Sequence, residues 1–138
     1  MKVRPYLIFK GNCQDAVDLY ERAFQSKAST LQRYSDMPLS PGMSIPDEFA
    51  NQILQCTLPV GDDYIRLSDC GPGGTLNDPD SQRITLAVEA SVDQVKHAFY
   101  ILAEAGGDIH IPLAETFYSP CAGLVVDKFG VTWNFIAQ

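Results

Sequence analysis

The chain has 138 residues, a formal net charge of −7, 46% hydrophobic and 20% charged residues, a balance that fits one small globular domain with a core rather than a disordered chain. The acidic sign argues against nucleic acid and anionic membrane surfaces as partners, because both call for a Lys/Arg-rich face. No apolar run nears the roughly 18 residues of a spanning helix, Val3 to Phe9 is too short for a secretion signal, and Cys13, Cys56, Cys70 and Cys121 have no C-x-x-C spacing. These features predict a cytoplasmic protein with four reduced thiols, rather than one with two disulfides.

Val3 to Lys10 reads as a first strand, and Gly11 breaks it. Asn12 can cap a helix, with Asp15 three residues on as a short capping box. Ala16, Val17, Tyr20, Ala23 and Phe24 then recur at helical spacing as a buried stripe. Ser29 to Ser35 is a weaker strand; Gln52 to Val60 and Tyr64 to Asp69 are two more, joined by a hairpin loop at Gly61-Asp62-Asp63. The same order then starts again. Arg83 to Glu89 alternates as a strand, and Ser91 with Gln94 makes a capping box for a helix with the stripe Val92, Val95, Phe99, Leu102 and Ala103. Gly106-Gly107 ends that helix. Ile109 to Leu113 is a strand, and Ala122 to Asp127 with Val131 to Ala137 forms a closing hairpin around Lys128-Phe129-Gly130. The reading is an α+β fold of two βαβββ modules, about 1–70 and about 83–138, within a single domain joined by a linker at 70–82. Two such units pack as cupped mixed sheets, each with a helix on its outer face. Met37 to Ala50, with three prolines, and the Gly/Pro-rich linker are long for loops, and each is either a lid or merely mobile.

Strand alternation sorts the side chains into faces. Leu54, Cys56 and Leu58 oppose Ile53, Gln55 and Thr57; Ile65 and Leu67 oppose Tyr64, Arg66 and Ser68; Ile84 and Leu86 oppose Arg83 and Thr85. The apolar sets face the helices. The mixed sets form either an ordinary wet sheet face or a pocket whose Arg66 and Arg83 attract an anionic group. His97 falls on the polar flank of the second helix, as an exposed histidine. His110 lies in a strand, where it either points to solvent or serves as a base of near-neutral pKa. Cys121 has no histidine beside it in sequence and reads as an inert thiol. Trp133 and Phe135 read as core.

Pro5-Tyr6-Leu7-Ile8-Phe9, Gly11-Asn12, Asp15-Ala16 and Tyr20 resemble the opening of PhnB-like proteins of the vicinal oxygen chelate superfamily. Leu67-Ser68-Asp69, Glu115-Thr116-Phe117-Tyr118 and Asp127 to Trp133 extend the resemblance over nearly the whole chain, with Tyr118 where the family usually has Trp. The resemblance implies paired βαβββ modules, a homodimer, and a metal site lined by histidines and glutamates in the family's enzymes. At those ligand positions this chain carries Pro5, Gln55, Arg83 and Asn134. Proline offers no side-chain ligand, arginine is a permanent cation, and neutral amides hold zinc or iron poorly. The expectation is therefore no metal and no cofactor. The pocket is expected to be lined by Leu7, Phe9, Gln55, Thr57, Arg66, Arg83, Thr85 and Asn134, with Tyr118 and Glu115 in a segment that borders the cavity in this family. Two functions stand: metal-independent binding of a small polar or anionic molecule, or a metal-dependent lyase, isomerase or dioxygenase. The methyltransferase label attached to some members of the family finds no support, since Gly71 to Gly74 leads into Asn77-Asp78-Pro79 and not into a helix.

Overall fold

The structure, a computed structural model, describes residues 1–74 and 84–138. The described residues form two compact units, 1–21 with 25–74 and 22–24 with 84–138. The second half of the linker read at 70–82, and Arg83, lie outside the described residues.

In the first unit, β1 (Tyr6–Phe9) leads to α1 (Cys13–Phe24), then β2 (Thr30–Arg33), β3 (Ile53–Val60) and β4 (Asp63–Asp69). The sheet order is β1-β4-β3-β2, with β1 parallel to β4 and the other pairs antiparallel. The second unit repeats this plan with β5 (Leu86–Ala90), α2 (Val92–Glu104), β6 (Asp108–Ala114), β7 (Ala122–Val126) and β8 (Thr132–Ala137), in the order β5-β8-β7-β6 with β5 parallel to β8. Both units are thus the mixed four-stranded sheet plus helix that the doubled element order implied.

One face of each sheet is apolar. In the first unit it carries Ile53, Cys56, Leu58, Ile65 and Leu67, all buried. α1 lies along this face: Cys13 of its first turn sits beside Cys56, and Ala16, Val17, Tyr20 and Ala23 are buried with it. Burial, then the negative charge of Glu21, pushes the Cys56 thiol up to about 11; burial, then Asp69 and Cys56, pushes the Cys13 thiol higher still. Ile53 reaches this face because the register between β2 and β3 shifts at Gln32/Arg33, leaving Leu54 as the extra residue of a bulge. That corrects simple alternation, which put Leu54 on the helix side and Ile53 opposite.

In the second unit the covered face holds Val125, Trp133, Phe135 and Ala137 beneath Val95, Ala98, Phe99 and Leu102 of α2, with the Phe99 and Phe135 rings 6.1 Å apart. Each large side chain buried this way contributes about 1.5–3 kcal/mol. The approach of helix to sheet is close at Gly123, where a β-carbon would meet Ile111 O at 2.8 Å, Leu113 Cδ2 at 2.9 Å and Phe99 Cε2 at 3.0 Å.

The helix starts differ. Ser91 caps α2 as read, its Oγ accepting from Gln94 N at 3.2 Å while Gln94 Oε1 accepts from Ser91 N at 3.2 Å. Asn12 makes no such bond. The start of α1 is held instead by Asp69 at the end of β4, whose Oδ1 accepts from Gly11 N at 2.8 Å and Cys13 N at 3.1 Å and whose Oδ2 accepts from Ile53 N at 2.9 Å. A carboxylate there suits the positive end of the helix dipole. Asp127 plays a comparable part in the closing hairpin. Its Oδ1 accepts from Phe129 N at 2.9 Å and Val131 N at 3.0 Å, and its Oδ2 accepts from Trp133 Nε1 at 2.9 Å. Two stretches that carry the family resemblance, Leu67-Ser68-Asp69 and Asp127 to Trp133, therefore centre on buried carboxylates that satisfy backbone and indole donors.

Candidate functional site

The face of the first sheet opposite α1 is built in rows fixed by the strand register. One row runs Tyr6, Arg66, Thr57, Thr30; beside it Ile8 pairs with buried Ser68, and Gln55 with Gln32. Gln55 Nε2 donates to Gln32 Oε1 across β3 and β2. Gln55, Thr57 and Arg66, read from sequence as lining residues, are brought together here. Leu7 and Phe9 are not. They pair with Leu67 and Asp69 and so share the helix-covered face, where Phe9 is buried. Tyr6 and Ile8 stand on the open face in their place, 47% and 45% exposed. Both sets of β1 side chains are apolar or aromatic, so alternation alone could not choose between them; the parallel pairing with β4 does.

Ahead of β1, Arg4 lies next to Tyr64. The Arg4 guanidinium lies 4.8 Å and that of Arg66 6.0 Å from the centre of the Tyr64 ring. Hydrogen bonding from Arg4, then from Arg66, to the phenol oxygen holds Tyr64 below the ordinary tyrosine pKa. Arg4 Nε is 3.3 Å from Asp63 Oδ1. Tyr64 and Ser68 already shared a face with Arg66 in the sequence pattern; Arg4 had no such signal, since it precedes the strand.

The second sheet presents a different open face. Asn134 of β8 sits between Ala87 of β5 and Leu124 of β7, and Leu124 in turn pairs with Ile111 of β6. Ile136 and Glu89 follow in the neighbouring row. Thr85 is exposed and precedes β5. Arg83 lies outside the described residues. Tyr118 is 58% exposed, its ring edge-on to that of Phe117 at 5.1 Å. His110 is exposed in β6, and His97 is exposed on α2 with Nε2 2.9 Å from Arg22 O. Cys121 is a buried free thiol. Among the described residues, no three His, Cys, Asp or Glu side chains group as a metal-ligand set, and no helix is long and apolar enough to cross a membrane.

No family model matches the chain. Protein YjdN of Escherichia coli (strain K12) is 32% identical over 100% of this chain and 97% of its own length. The chain belongs to the PhnB-like family. Protein PA1353 from Pseudomonas aeruginosa superimposes with a TM-score of 0.83 at 27% identity, over 100% of this chain and 98% of the other. A Bacillus cereus structure described as a 3-demethylubiquinone-9 3-methyltransferase, PhnB protein, shares the fold with a TM-score of 0.75 at 23% identity and full coverage of both chains. The glyoxalase- and bleomycin-resistance-like architecture expected of this PhnB-like chain is therefore the one it has.

Proposed function

We propose that this PhnB-like protein binds a small polar or anionic molecule on the open face of its first sheet, without a tightly held metal. The observation that carries this reading is the set Ile8, Ser68, Gln55, Gln32 beside Tyr6, Arg66, Thr57. It offers amide, hydroxyl and guanidinium groups, which hydrogen-bond a polar ligand and draw an anion, but none of the imidazoles or carboxylates a transition metal prefers. On sheet two, Asn134 is a neutral amide among Ala87 and Leu124, again a weak ligand. The test is elemental analysis of protein purified without chelator, joined to a thermal-shift screen of small anions. Well under one metal per two chains, with stabilisation by at least one anion, is the expected result. One metal per chain that survives dialysis overturns the reading and favours a lyase, isomerase or dioxygenase.

The same reading places the protein in the cytoplasm, with its thiols reduced, and as a homodimer. The second unit leaves Ile109, Ile111, Phe117 and Tyr118 exposed, and exposed apolar side chains are what subunit contacts use. Sedimentation equilibrium at micromolar concentration checks it: a mass near 15.2 kDa excludes the dimer.

A further inference from the structure

We infer that Arg4, Tyr64 and Arg66 form a seat for one oxyanion of a small molecule, a carboxylate or a phosphate, at the β1–β4 edge of the first sheet. This deepens the binding reading above and rests on it. The three side chains belong together by construction. Arg4 lies two residues ahead of Tyr6, which pairs with Arg66, the Arg4 guanidinium lies over the Tyr64 ring, and Tyr64 and Arg66, two residues apart on β4, share one face. Arg66 N also donates to Pro5 O at 3.0 Å, which fastens the chain just after Arg4 to the β4 backbone. Tyr64 and Arg66 are therefore carried by a paired strand, with Arg4 just ahead of another, which lowers the cost of ordering them around a ligand.

The charge count gives the sign of the occupant. Arg4 is paired with Asp63, whereas no carboxylate lies within ion-pair distance of Arg66 among the described residues. Among the described residues the cluster thus keeps one positive charge without an ion-pair partner, in a chain whose net charge is −7. Two guanidiniums stand around a single phenol, at 4.8 and 6.0 Å from the ring centre. The phenol hydroxyl beside them can donate to a ligand oxygen. Guanidinium forks match the paired oxygens of a carboxylate or phosphate, and bonds to such ions are about twice as strong as neutral ones. Tyr64 supplies the single neutral donor, and Arg66 the charge.

The test is an NMR titration of the full chain with sodium acetate, inorganic phosphate and sodium chloride at matched ionic strength. It follows the arginine Nε–H signals together with the amides of Tyr64, Arg66, Ser68, Gln55 and Gln32. At least one oxyanion is expected to give saturable shifts at Arg4, Tyr64 and Arg66 in the millimolar range, with chloride giving none. Arg66→Gln is expected to weaken that binding at least tenfold. Tyr64→Phe, which keeps the ring beneath the guanidiniums, is expected to weaken it severalfold, and unchanged dispersion of the remaining amides shows that both variants are folded. Shifts that chloride reproduces, or an affinity unchanged in both variants, overturn the seat. Saturable shifts confined to Gln55, Gln32 and Ser68 overturn it while leaving open-face binding intact; saturable shifts nowhere on the sheet count against both.

Discussion

In both units an edge strand runs parallel to the last strand of the same sheet, and a helix covers one face; yet the two units differ in the chemistry of the face left open. The first carries Arg66, Thr57, Gln55 and Gln32, with buried Ser68, beside Tyr6 and Ile8. The second carries Ala87, Leu124, Ile111 and Ile136 around a central Asn134, with Glu89 next to Ile136. The apolar helix-facing residues are what the shared architecture needs, and they recur in kind: Leu58, Ile65 and Leu67 in one unit, Val125, Trp133 and Phe135 in the other. The open faces are not needed for folding to the same degree, and they are where the two copies part. The difference teaches that the plan of strands is common property of the two units, while the side chains of the open faces are particular to each, and the proposed ligand face is that of the first sheet.

The comparison breaks first at its buried carboxylates. Asp127→Ala leaves Phe129 N, Val131 N and Trp133 Nε1 without their acceptor. It should lower stability by about 3–5 kcal/mol in urea unfolding, with Asp69→Ala close behind, because each removes several satisfied donors at once. If Asp69→Ala proves neutral, the start of α1 is held by something other than β4. Next in size, Gly123→Val drives a branched side chain into Phe99, Leu113 and the β6 backbone, and should cost about 2–3 kcal/mol. Smaller, and sharper as a contrast, is the pair of helix caps. Ser91→Ala should cost about 1 kcal/mol, while Asn12→Ala, at a position with no capping bond, should change stability by less than about 0.5 kcal/mol. Equal losses would mean that the two helices start alike after all.

The titrations come last. The Cys56 thiol rises from 9.0 to about 11 in the folded chain, so the neutral form is favoured there and its contribution is fully present below pH 9. Stability should fall as pH climbs from 9 toward about 11, because the unfolded chain then gains thiolate that the core refuses. A Cys56→Ala variant should fall less steeply over the same range. On the exposed side, Tyr64 should ionise below ordinary tyrosines in a spectrophotometric titration, and Arg4→Ala should bring it back up. No shift in that variant would remove Arg4 from the cluster.

The sequence carried much of this, and the losses have physical reasons. The doubled order of elements was legible from periodicity, and the α2 capping box from Ser91 and Gln94, because both signals are local. The α1 cap was misread as Asn12 because its real acceptor, Asp69, is 56 residues from Cys13 in the chain. The face of β1 was misread because Tyr6, Leu7, Ile8 and Phe9 alternate among residues that are all apolar or aromatic, so that only the register with β4 tells Leu7 and Phe9 from Tyr6 and Ile8. Leu54 was misplaced because a bulge is invisible to a period-two count. Arg66, Gln55 and Thr57 were found together because polar residues alternating with Ile65, Leu67, Cys56 and Leu58 leave a clear mark. The partner of Arg66 in the proposed seat, Arg4, lies ahead of the strand and left none.

Asp69 has one more consequence. Its two oxygens collect amide protons from the turn after β1, from the first turn of α1 and from the first residue of β3. A single side chain thereby makes the opening of any one of these segments a disturbance to the other two. In hydrogen–deuterium exchange the amides of Gly11, Cys13 and Ile53 should behave as a set, exchanging only when β4 itself lets go. The start of α1 would then report on the middle of the chain rather than on its own fraying.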